Sequence, residues 1–305
     1  MIYFLKLIRL PNLIMIAVTQ FLVRYCLIIP AFLTENKVTG EMPHHLNKIQ
    51  FMLLVLSTLL IAAGGYIIND ICDTDIDKTN RPGKNIIGKN ISEATAMKWY
   101  YAFTFPGILF GFLVAFQIDK ISMAAIPLFC ALSLYMYSTF YKKRFVTGNI
   151  IIALVTSLSV LLIGLFEPEF YRNIIYLLYY AVFAFEMSLI REIIKDAEDL
   201  DGDERAQCKT IPVRLGLPKT KVIIISLITF TIATIVFVLR KDFWQNTVIS
   251  FWNLVAIFSL PLLALIYLVG TAKEKKDYHY ASLFCKIFMS FGILSMAGLW
   301  YYFLR

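Results

Sequence analysis

Long apolar segments alternate with short polar segments along the whole chain. Nine of the apolar runs have about the 17–24 residues that an α-helix needs to cross a bilayer. They lie near residues 11–34, 50–69, 99–116, 120–140, 148–166, 174–194, 222–239, 249–270 and 283–303. The pattern predicts an all-α, polytopic membrane protein with about nine transmembrane helices.

The composition supports this fold class. Of the 305 residues, 59% are hydrophobic and 16% are charged, and the mean hydropathy is +0.70. A soluble domain cannot cover that much apolar surface. No linker or shift of composition divides the chain, so we expect a single transmembrane domain over residues 1–305.

Lysine and arginine are distributed unequally between the two sides of the predicted membrane. With the N-terminus in the cytoplasm, the inner segments carry 20 of the 29 basic residues and the outer segments carry 7, with Arg24 and Lys286 inside spans. Because cytoplasmic loops carry the excess of positive charge, we expect this orientation. It places the second-to-third and sixth-to-seventh connections on the cytoplasmic side.

Aspartates are concentrated where the second apolar run ends. Asp70, Asp73 and Asp77 stand at i, i+3 and i+7, and Asn69 precedes them. A continuing helix would carry all three carboxylates on one face, where they repel one another unless a cation lies among them. We call residues 69–77 the first acidic motif.

The same spacing recurs after the sixth apolar run. Asp196, Asp199 and Asp203 form this second acidic motif, which lies on the same predicted membrane side as the first. Magnesium takes one or two carboxylates together with phosphate oxygens. Two facing acidic helix ends therefore suit a diphosphate bridged by Mg²⁺.

Two other metal-binding patterns do not fit. As an EF-hand loop starting at Asp73, the chain would have Lys78 and Lys84 where glycine and the bidentate glutamate are required. The CDP-alcohol phosphotransferases carry Asp-x-x-Asp-Gly-x-x-Ala-Arg, but this chain has Glu198 at the first acid and reverses the final pair at Arg205-Ala206. That pattern also leaves the first acidic motif unexplained.

Several other polar residues lie where they could face the acids. Lys142 closes the fourth apolar run just after Tyr137, and Asn12 begins the first run. Arg81 and Lys209 follow the two motifs. A cation beside a metal-bound diphosphate stabilises the charge that develops as it departs, and an aromatic ring can stabilise an allylic cation.

Two charged residues fall inside predicted spans. Arg24 lies in the first and Glu186 in the sixth. Charges there are costly and indicate a function by default. The alternatives are a polar cavity or a structural ion pair, with Glu186 reaching Arg191 or a neighbouring helix.

These residues resemble the UbiA superfamily of intramembrane prenyltransferases. Its first signature, Asn-Asp-x-x-Asp-x-x-x-Asp, matches residues 69–77, and its second, Asp-x-x-Asp-x-x-x-Asp, matches 196–203. A Tyr-Ser…Lys-Lys…Gly-Asn stretch matches residues 137–149. The resemblance implies nine helices around a central cavity, which is open to lipid and capped on the cytoplasmic side by loops near 70–98 and 191–221.

The resemblance also implies a reaction and a set of site residues. Mg²⁺ would assist the ionisation of a prenyl diphosphate, and an acceptor would capture the carbocation in a water-poor cavity. The metal–diphosphate would be held by Asn69, Asp70, Asp73, Asp196 and Asp199. Asp77 and Asp203 would support this catalytic set, and the substrate-binding residues would be Asn12, Arg81, Tyr137, Lys142 and Lys209.

The spacing around both motifs looks most like the digeranylgeranylglyceryl phosphate synthases. These add a geranylgeranyl chain to a glycerophosphate ether lipid. One departure concerns residues 83–89, Gly-Lys-Asn-Ile-Ile-Gly-Lys, where those enzymes usually have a Pro-Ser-Gly-type run. Homogentisate, chlorophyll and naphthoquinone prenyltransferases share much of the pattern, so an aromatic acceptor is the alternative.

The sequence therefore predicts a Mg²⁺-dependent prenyltransferase of isoprenoid lipid biosynthesis. Its partners would be a prenyl diphosphate, a lipid or aromatic acceptor and the surrounding membrane lipid, with neither nucleic acid nor a protein partner implied. We expect a prokaryotic inner-membrane protein with its active site on the cytoplasmic side. A divalent-cation transporter is the alternative from another class, but it would carry its acids near the bilayer midplane.

Overall fold

The computed structural model describes residues 2–33, 45–74, 86–167, 174–243 and 251–303. Within these ranges, nine helices are long and apolar enough to span a membrane. They are α1 (Leu10–Leu33), α2 (Lys48–Cys72), α3 (Glu93–Gln117), α4 (Ile121–Tyr141), α5 (Thr147–Phe166), α6 (Ile174–Glu198), α7 (Ile211–Arg240), α8 (Phe251–Thr271) and α9 (Lys275–Tyr301). Two short helices, Ile2–Leu7 and Leu200–Arg205, complete the described fold. The predicted all-α membrane architecture is confirmed.

Most helices match the apolar runs, but three begin earlier than hydropathy predicts. The starts of α3, α7 and α9 precede the predicted residues 99, 222 and 283. At α3 the side chain of Ser92 accepts the backbone N–H of Thr95, 3.2 Å away, which caps a polar first turn. Hydropathy marks the part of a helix that lipid surrounds, whereas capping groups mark where the helix begins.

A close helix pair forms one side of the molecule. Gly107 of α3 lies so near α2 that an added Cβ would be 2.8 Å from Ile61 Cγ1 and 3.1 Å from the Ser57 carbonyl oxygen. The Ser57 hydroxyl donates to the Gly107 carbonyl oxygen, 2.6 Å away. Small residues at such contacts allow two spanning helices to approach and gain van der Waals packing. This packing fixes α2, which carries the first acidic motif at its C-terminal end.

Arg24 belongs to a buried ion pair. It lies in a π-helical segment of α1, Val23–Ile28, and its Nη1 donates to Glu167 Oε1, 3.0 Å away. Its Nη2 donates to the Leu46 carbonyl oxygen, while the Leu46 N–H donates to Glu167 Oε2 at 2.7 Å. Burial raises the pKa of Glu167, and the Leu46 N–H and Arg24 oppose that rise. The structural ion pair is therefore the correct alternative for Arg24.

Glu186 is also buried, and of its two predicted partners, Arg191 or a neighbouring helix, it contacts the neighbouring helix. The Thr234 hydroxyl of α7 donates to Glu186 Oε1, 3.1 Å away. The second oxygen, Oε2, is buried and has no hydrogen-bond partner among the residues that the structure describes. Glu186 thus reaches a neighbouring helix through a hydroxyl group, and it contributes to the contact between α6 and α7.

Candidate functional site

A cavity of about 500 Å³ opens between α1, α2, α4, α5, α6 and α9. Much of its wall is apolar and includes Ile61, Leu134, Val160, Phe183 and Met296. Charged and amide side chains line the part near the C-terminal ends of α2 and α6, where both acidic motifs lie. One compartment therefore combines a polar end with an apolar region.

The first acidic motif lies where α2 ends. Asp73 is the C-cap residue of that helix, and it is 5% exposed. Its Oδ2 accepts a hydrogen bond from Asn69 Nδ2, 2.7 Å away, and also contacts the Lys142 ammonium. Asp70 Oδ1 instead pairs with Arg9 Nη2 at 2.7 Å. The predicted residues Asp77 and Arg81 lie outside the described residues.

The second acidic motif continues across a break between two helices. α6 ends at Glu198, and the Asp203 N–H, within the short helix Leu200–Arg205, donates to the Asp199 carbonyl oxygen at 3.1 Å. Asp196, Asp199 and Asp203 all line the cavity. Asn149 Nδ2 of α5 donates to Asp196 Oδ2, 2.7 Å away, which orients that carboxylate.

The acids of the two motifs act on one another. Burial raises the pKa of Asp203 to about 6, with repulsion from Asp199 and Asp73 adding to the rise and the Lys142 cation opposing it. Within the described residues, no group of three acids, histidines or cysteines is arranged to hold an ion by itself. The carboxylates of the two acidic motifs nevertheless fit Mg²⁺, because this ion takes only one or two carboxylates and completes its coordination shell with phosphate oxygens and water.

We expect the Asp203→Asn variant to unfold at a higher temperature than the wild type when no divalent ion is present. Above pH 6 the folded protein must hold a buried charge that the unfolded chain carries in water, at a cost of the order of 2–3 kcal/mol. This penalty is absent below the ordinary pKa of aspartate and grows as the pH rises towards 6. Thermal unfolding in EDTA at pH 4.5 and pH 8 measures the effect.

The gain in melting temperature of that variant should be full at pH 8 and about a third as large at pH 4.5, because the aspartate of the unfolded chain is already mostly ionised at pH 4.5. Mg²⁺ with an unreactive prenyl diphosphate analogue should stabilise the wild type more than the variant. Asp201→Asn, at an exposed position of the same short helix, is the control and should change little. Equal stability of wild type and Asp203→Asn at pH 8 would contradict an unfavourable buried charge.

A π-helical segment positions Tyr137 and Lys142. Tyr137–Tyr141 forms wide turns, and the Lys142 N–H donates to the Tyr137 carbonyl oxygen, 2.9 Å away. Residues five apart then lie above one another, so both side chains line the cavity. An added Cβ on Gly148 would be 3.2 Å from the Tyr137 ring, so a small residue is needed where α5 begins.

The remaining predicted residues divide between the cavity and the surface. Asn12 lines the cavity, and its Oδ1 accepts a hydrogen bond from Lys286 Nζ at 2.7 Å. Lys209 is exposed, and its backbone N–H donates to the Lys143 carbonyl oxygen at 2.8 Å. Lys209 is not among the cavity-lining residues in the described part of the chain.

Several charged residues of the cavity were not predicted. Arg191 Nη1 and Lys195 Nζ lie 3.1 Å and 3.4 Å from Glu192 Oε1 in the turn before Asp196. The Arg9 guanidinium lies 4.9 Å from the centre of the Tyr66 ring. Charges at the end of an apolar run were the available signal for Arg191, Glu192 and Lys195. Nothing local distinguishes Arg9 from other basic residues that follow the positive-inside pattern.

Known proteins resemble the chain in sequence and fold. The model described as the UbiA prenyltransferase family matches residues 27–303. The digeranylgeranylglyceryl phosphate synthase of Korarchaeum cryptofilum (strain OPF8) is 30% identical over 250 residues, which is 81% of this chain and 84% of the relative. The synthase of Methanosphaera stadtmanae is 26% identical over 255 residues, which is 83% of this chain and 89% of the relative.

Two solved structures share the fold. One, from work on digeranylgeranylglyceryl phosphate synthase in membranes, has a TM-score of 0.67 at 22% identity and covers 97% of this chain and 96% of its own. The other is a UbiA homolog from Archaeoglobus fulgidus bound to GPP and Mg²⁺, with a TM-score of 0.58 at 16% identity and coverage of 97% and 99%. At these identities the likeness establishes the common architecture.

Proposed function

The chain belongs to the UbiA prenyltransferase family, and we propose that it transfers a geranylgeranyl group to a glycerophosphate ether lipid. The donor is geranylgeranyl diphosphate, and the acceptor is a lipid such as geranylgeranylglyceryl phosphate. The relatives named digeranylgeranylglyceryl phosphate synthase support this acceptor. The A. fulgidus homolog with bound GPP and Mg²⁺ supports a metal-assisted prenyl diphosphate reaction.

One observation carries the proposal. Acids of both motifs and the Lys142 ammonium line the polar end of a cavity whose remaining wall is largely apolar. A prenyl diphosphate has the same division, with a charged group at one end and a hydrocarbon chain at the other. Its diphosphate fits beside Asp73, Asp196, Asp199 and Asp203, and its isoprenoid chain fits the apolar wall.

The residues of the cavity have distinct tasks in the proposed reaction. Asn69 and Asp73, with Asp196, Asp199 and Asp203, would hold Mg²⁺, which neutralises the diphosphate and assists its departure. Asp203 takes the place of Asp70 in this set, because Asp70 pairs with Arg9 and is not among the cavity-lining residues in the described part of the chain. Lys142 stabilises the charge that develops on the leaving diphosphate. Tyr137 lies near the acids with a ring that can stabilise an allylic cation.

The reaction exchanges one carbon–oxygen bond for another. The bond between C1 of the prenyl group and the diphosphate oxygen breaks, and its electron pair leaves with the diphosphate. The acceptor hydroxyl oxygen then bonds to C1, and the hydroxyl proton leaves to a basic oxygen of the site. The apolar wall of the cavity limits the access of water, which would otherwise capture the cation.

The membrane location follows in part from the fold. The chain is an integral, multi-pass membrane protein, and the charge distribution supports the proposal that both acidic motifs face the cytoplasm of a prokaryotic cell. We also propose that residues 1–305 act as one domain, because six of the nine spanning helices in the described residues line one cavity.

Purified protein with geranylgeranyl diphosphate, Mg²⁺ and geranylgeranylglyceryl phosphate tests the proposal. We expect digeranylgeranylglyceryl phosphate by mass spectrometry, one diphosphate released per product, and no product in EDTA. A homogentisate or naphthoquinone-type acceptor in parallel is expected to give none. If only the aromatic acceptor gives a product, the proposed glycerophosphate acceptor is wrong. If no acceptor leads to release of diphosphate, the proposed reaction is wrong.

A further inference from the structure

Lys286 is a cation inside a membrane span without an acidic partner in the described part of the chain. It lies well within α9, and its Nζ donates to Asn12 Oδ1 of α1, 2.7 Å away. An amide oxygen satisfies one donor but does not neutralise the ammonium. Since a charge in a spanning segment is costly, this arrangement indicates that a further anion belongs near Lys286.

Two other cations strengthen this positive region. Arg9 and Arg191 are both close enough to repel Lys286 electrostatically. Arg9 pairs with Asp70, and Arg191 pairs with Glu192, but Arg191 Nε is buried and has no hydrogen-bond partner within the described ranges. Among the cations that line the cavity, Lys142 and Lys195 also contact acids. Of the cations that line the cavity, Lys286 is therefore the one that contacts no acid in the described part of the chain.

A second cavity, of about 470 Å³, meets the main cavity at this position. It is lined by three cations, Lys6, Arg9 and Lys286, and by apolar side chains that include Ile2, Leu5 and Leu10. Arg9, Asn12 and Lys286 line both cavities. We call this second cavity the N-terminal groove.

The groove suits an amphiphilic monoanion or dianion with one hydrocarbon chain. The cations can bind a phosphate, and the apolar residues of the short N-terminal helix can cover the first part of an alkyl chain. A neutral lipid would leave Lys286 without a counter-charge, and a free phosphate would leave the apolar wall exposed. The composition of the groove therefore favours a lipid phosphomonoester over either.

We propose that Arg9 and Lys286 bind the phosphate of the acceptor lipid in the N-terminal groove. This inference rests on the proposed function and names the residues that select the acceptor. The acceptor anion lies beside α1 and α9, whereas the donor diphosphate lies beside the acids at the ends of α2 and α6. Separate anion sites for donor and acceptor keep the two phosphate groups from competing for the metal.

Direct binding tests the proposal without any need for turnover. A fluorescent 1-alkylglycerol phosphate is titrated into the detergent-solubilised protein, with the matching alkylglycerol and free glycerol phosphate as competitors. We expect the Lys286→Gln variant, which can still donate to Asn12, to weaken binding of the phospholipid by about 10- to 100-fold, the effect of losing a charged hydrogen bond. Lys286→Arg should retain binding within a few-fold of the wild type.

The matched control is Lys276→Gln, at an exposed position near the start of α9, which should bind like the wild type. Alkylglycerol should compete weakly and equally with every variant, and glycerol phosphate should compete poorly because it lacks a chain. Retained binding of Mg²⁺ and a prenyl diphosphate analogue shows that Lys286→Gln is folded. If that variant does not fold, the wild-type preference for alkylglycerol phosphate over alkylglycerol and the Lys286→Arg affinity decide.

Undiminished affinity in folded Lys286→Gln, or a wild type that binds alkylglycerol as tightly as its phosphate, overturns the proposal. The outcome is distinguishable from failure of the proposed function. If the phospholipid binds in a Lys286-dependent way but no prenyl group is transferred to it, the result would contradict the proposed function and support the proposed phosphate site. Prenyl transfer that proceeds normally in Lys286→Gln would support the proposed function and contradict the proposed phosphate site.

Discussion

Asp73→Asn is expected to lower the rate of diphosphate release by about 10³-fold, which corresponds to roughly 4 kcal/mol of transition-state stabilisation. Asp199→Asn, in the other acidic motif, is expected to have an equal effect. Both carboxylates line one cavity, and asparagine keeps the shape of the side chain but removes the charge that holds the metal–diphosphate. The rate is measured with geranylgeranyl diphosphate, Mg²⁺ and saturating acceptor.

The double variant tests whether the two motifs form one site. If one metal–diphosphate group needs both, Asp73→Asn with Asp199→Asn should be no slower than either single variant, because residues that act as a unit are not additive. Asp201→Asn, at the exposed position between Asp199 and Asp203, should stay within about twofold of the wild type. A double variant that is slower by the product of the single effects would indicate independent sites.

Lys142→Met is expected to lower kcat by about 10²-fold, since a preorganised cation that meets developing charge commonly contributes that much. Lys142 contacts Asp73 and acts electrostatically on Asp203, so it lies where the proposed diphosphate would leave. Lys142→Arg keeps the charge and should lose less activity than Lys142→Met. Steady-state and single-turnover rates of diphosphate release measure the effect.

A structural role for Lys142 makes a different prediction. Loss of its charge would leave Asp73 buried without a cation, which lowers stability and the folded fraction. The rate per folded enzyme, counted by active-site titration with a tight-binding diphosphate analogue, would then be unchanged. Lys143→Met, at an exposed neighbouring position, is the matched control and should leave both rate and stability near the wild-type values.

The fold was largely predictable because lipid imposes a strong local constraint. Each span needs a continuous apolar run, so α5, predicted at 148–166, is observed at Thr147–Phe166. The prediction was less accurate where a helix extends beyond the bilayer. The span predicted at 174–194 continues to Glu198, and its polar last two turns carry Glu192, Lys195 and Asp196, which line the cavity.

The candidate site was predictable only where its residues are repeated or clustered along the chain. The spacing of the two acidic motifs identified Asp73, Asp196 and Asp199, all of which line the cavity. The neighbours of those acids depend on how distant helices pack. Lys286 meets Asn12 across 274 positions of sequence, a distance over which no local pattern operates.

Local backbone structure that the sequence pattern does not reveal also explains why Lys142 lines the cavity and Lys209 does not. Both are basic residues beside a polar segment, and both were predicted to bind substrate. A π-helical segment places Lys142 in the cavity, whereas Lys209 is exposed after the short helix Leu200–Arg205. Distant packing also decides the role of Arg24. The cost of a charge inside a span predicted either a polar cavity or an ion pair for this residue, and its partner Glu167 lies 143 positions away in sequence.

The central claim is that both acidic motifs hold one metal–diphosphate group in a shared cavity. The most direct test is calorimetric titration of the purified protein with an unreactive thio-analogue of geranylgeranyl diphosphate, with and without Mg²⁺. The account predicts that binding requires Mg²⁺ and is lost both in Asp73→Asn and in Asp199→Asn, but not in Asp201→Asn. Binding that is equally tight in EDTA, or that persists at full affinity in either of the first two variants, would contradict it.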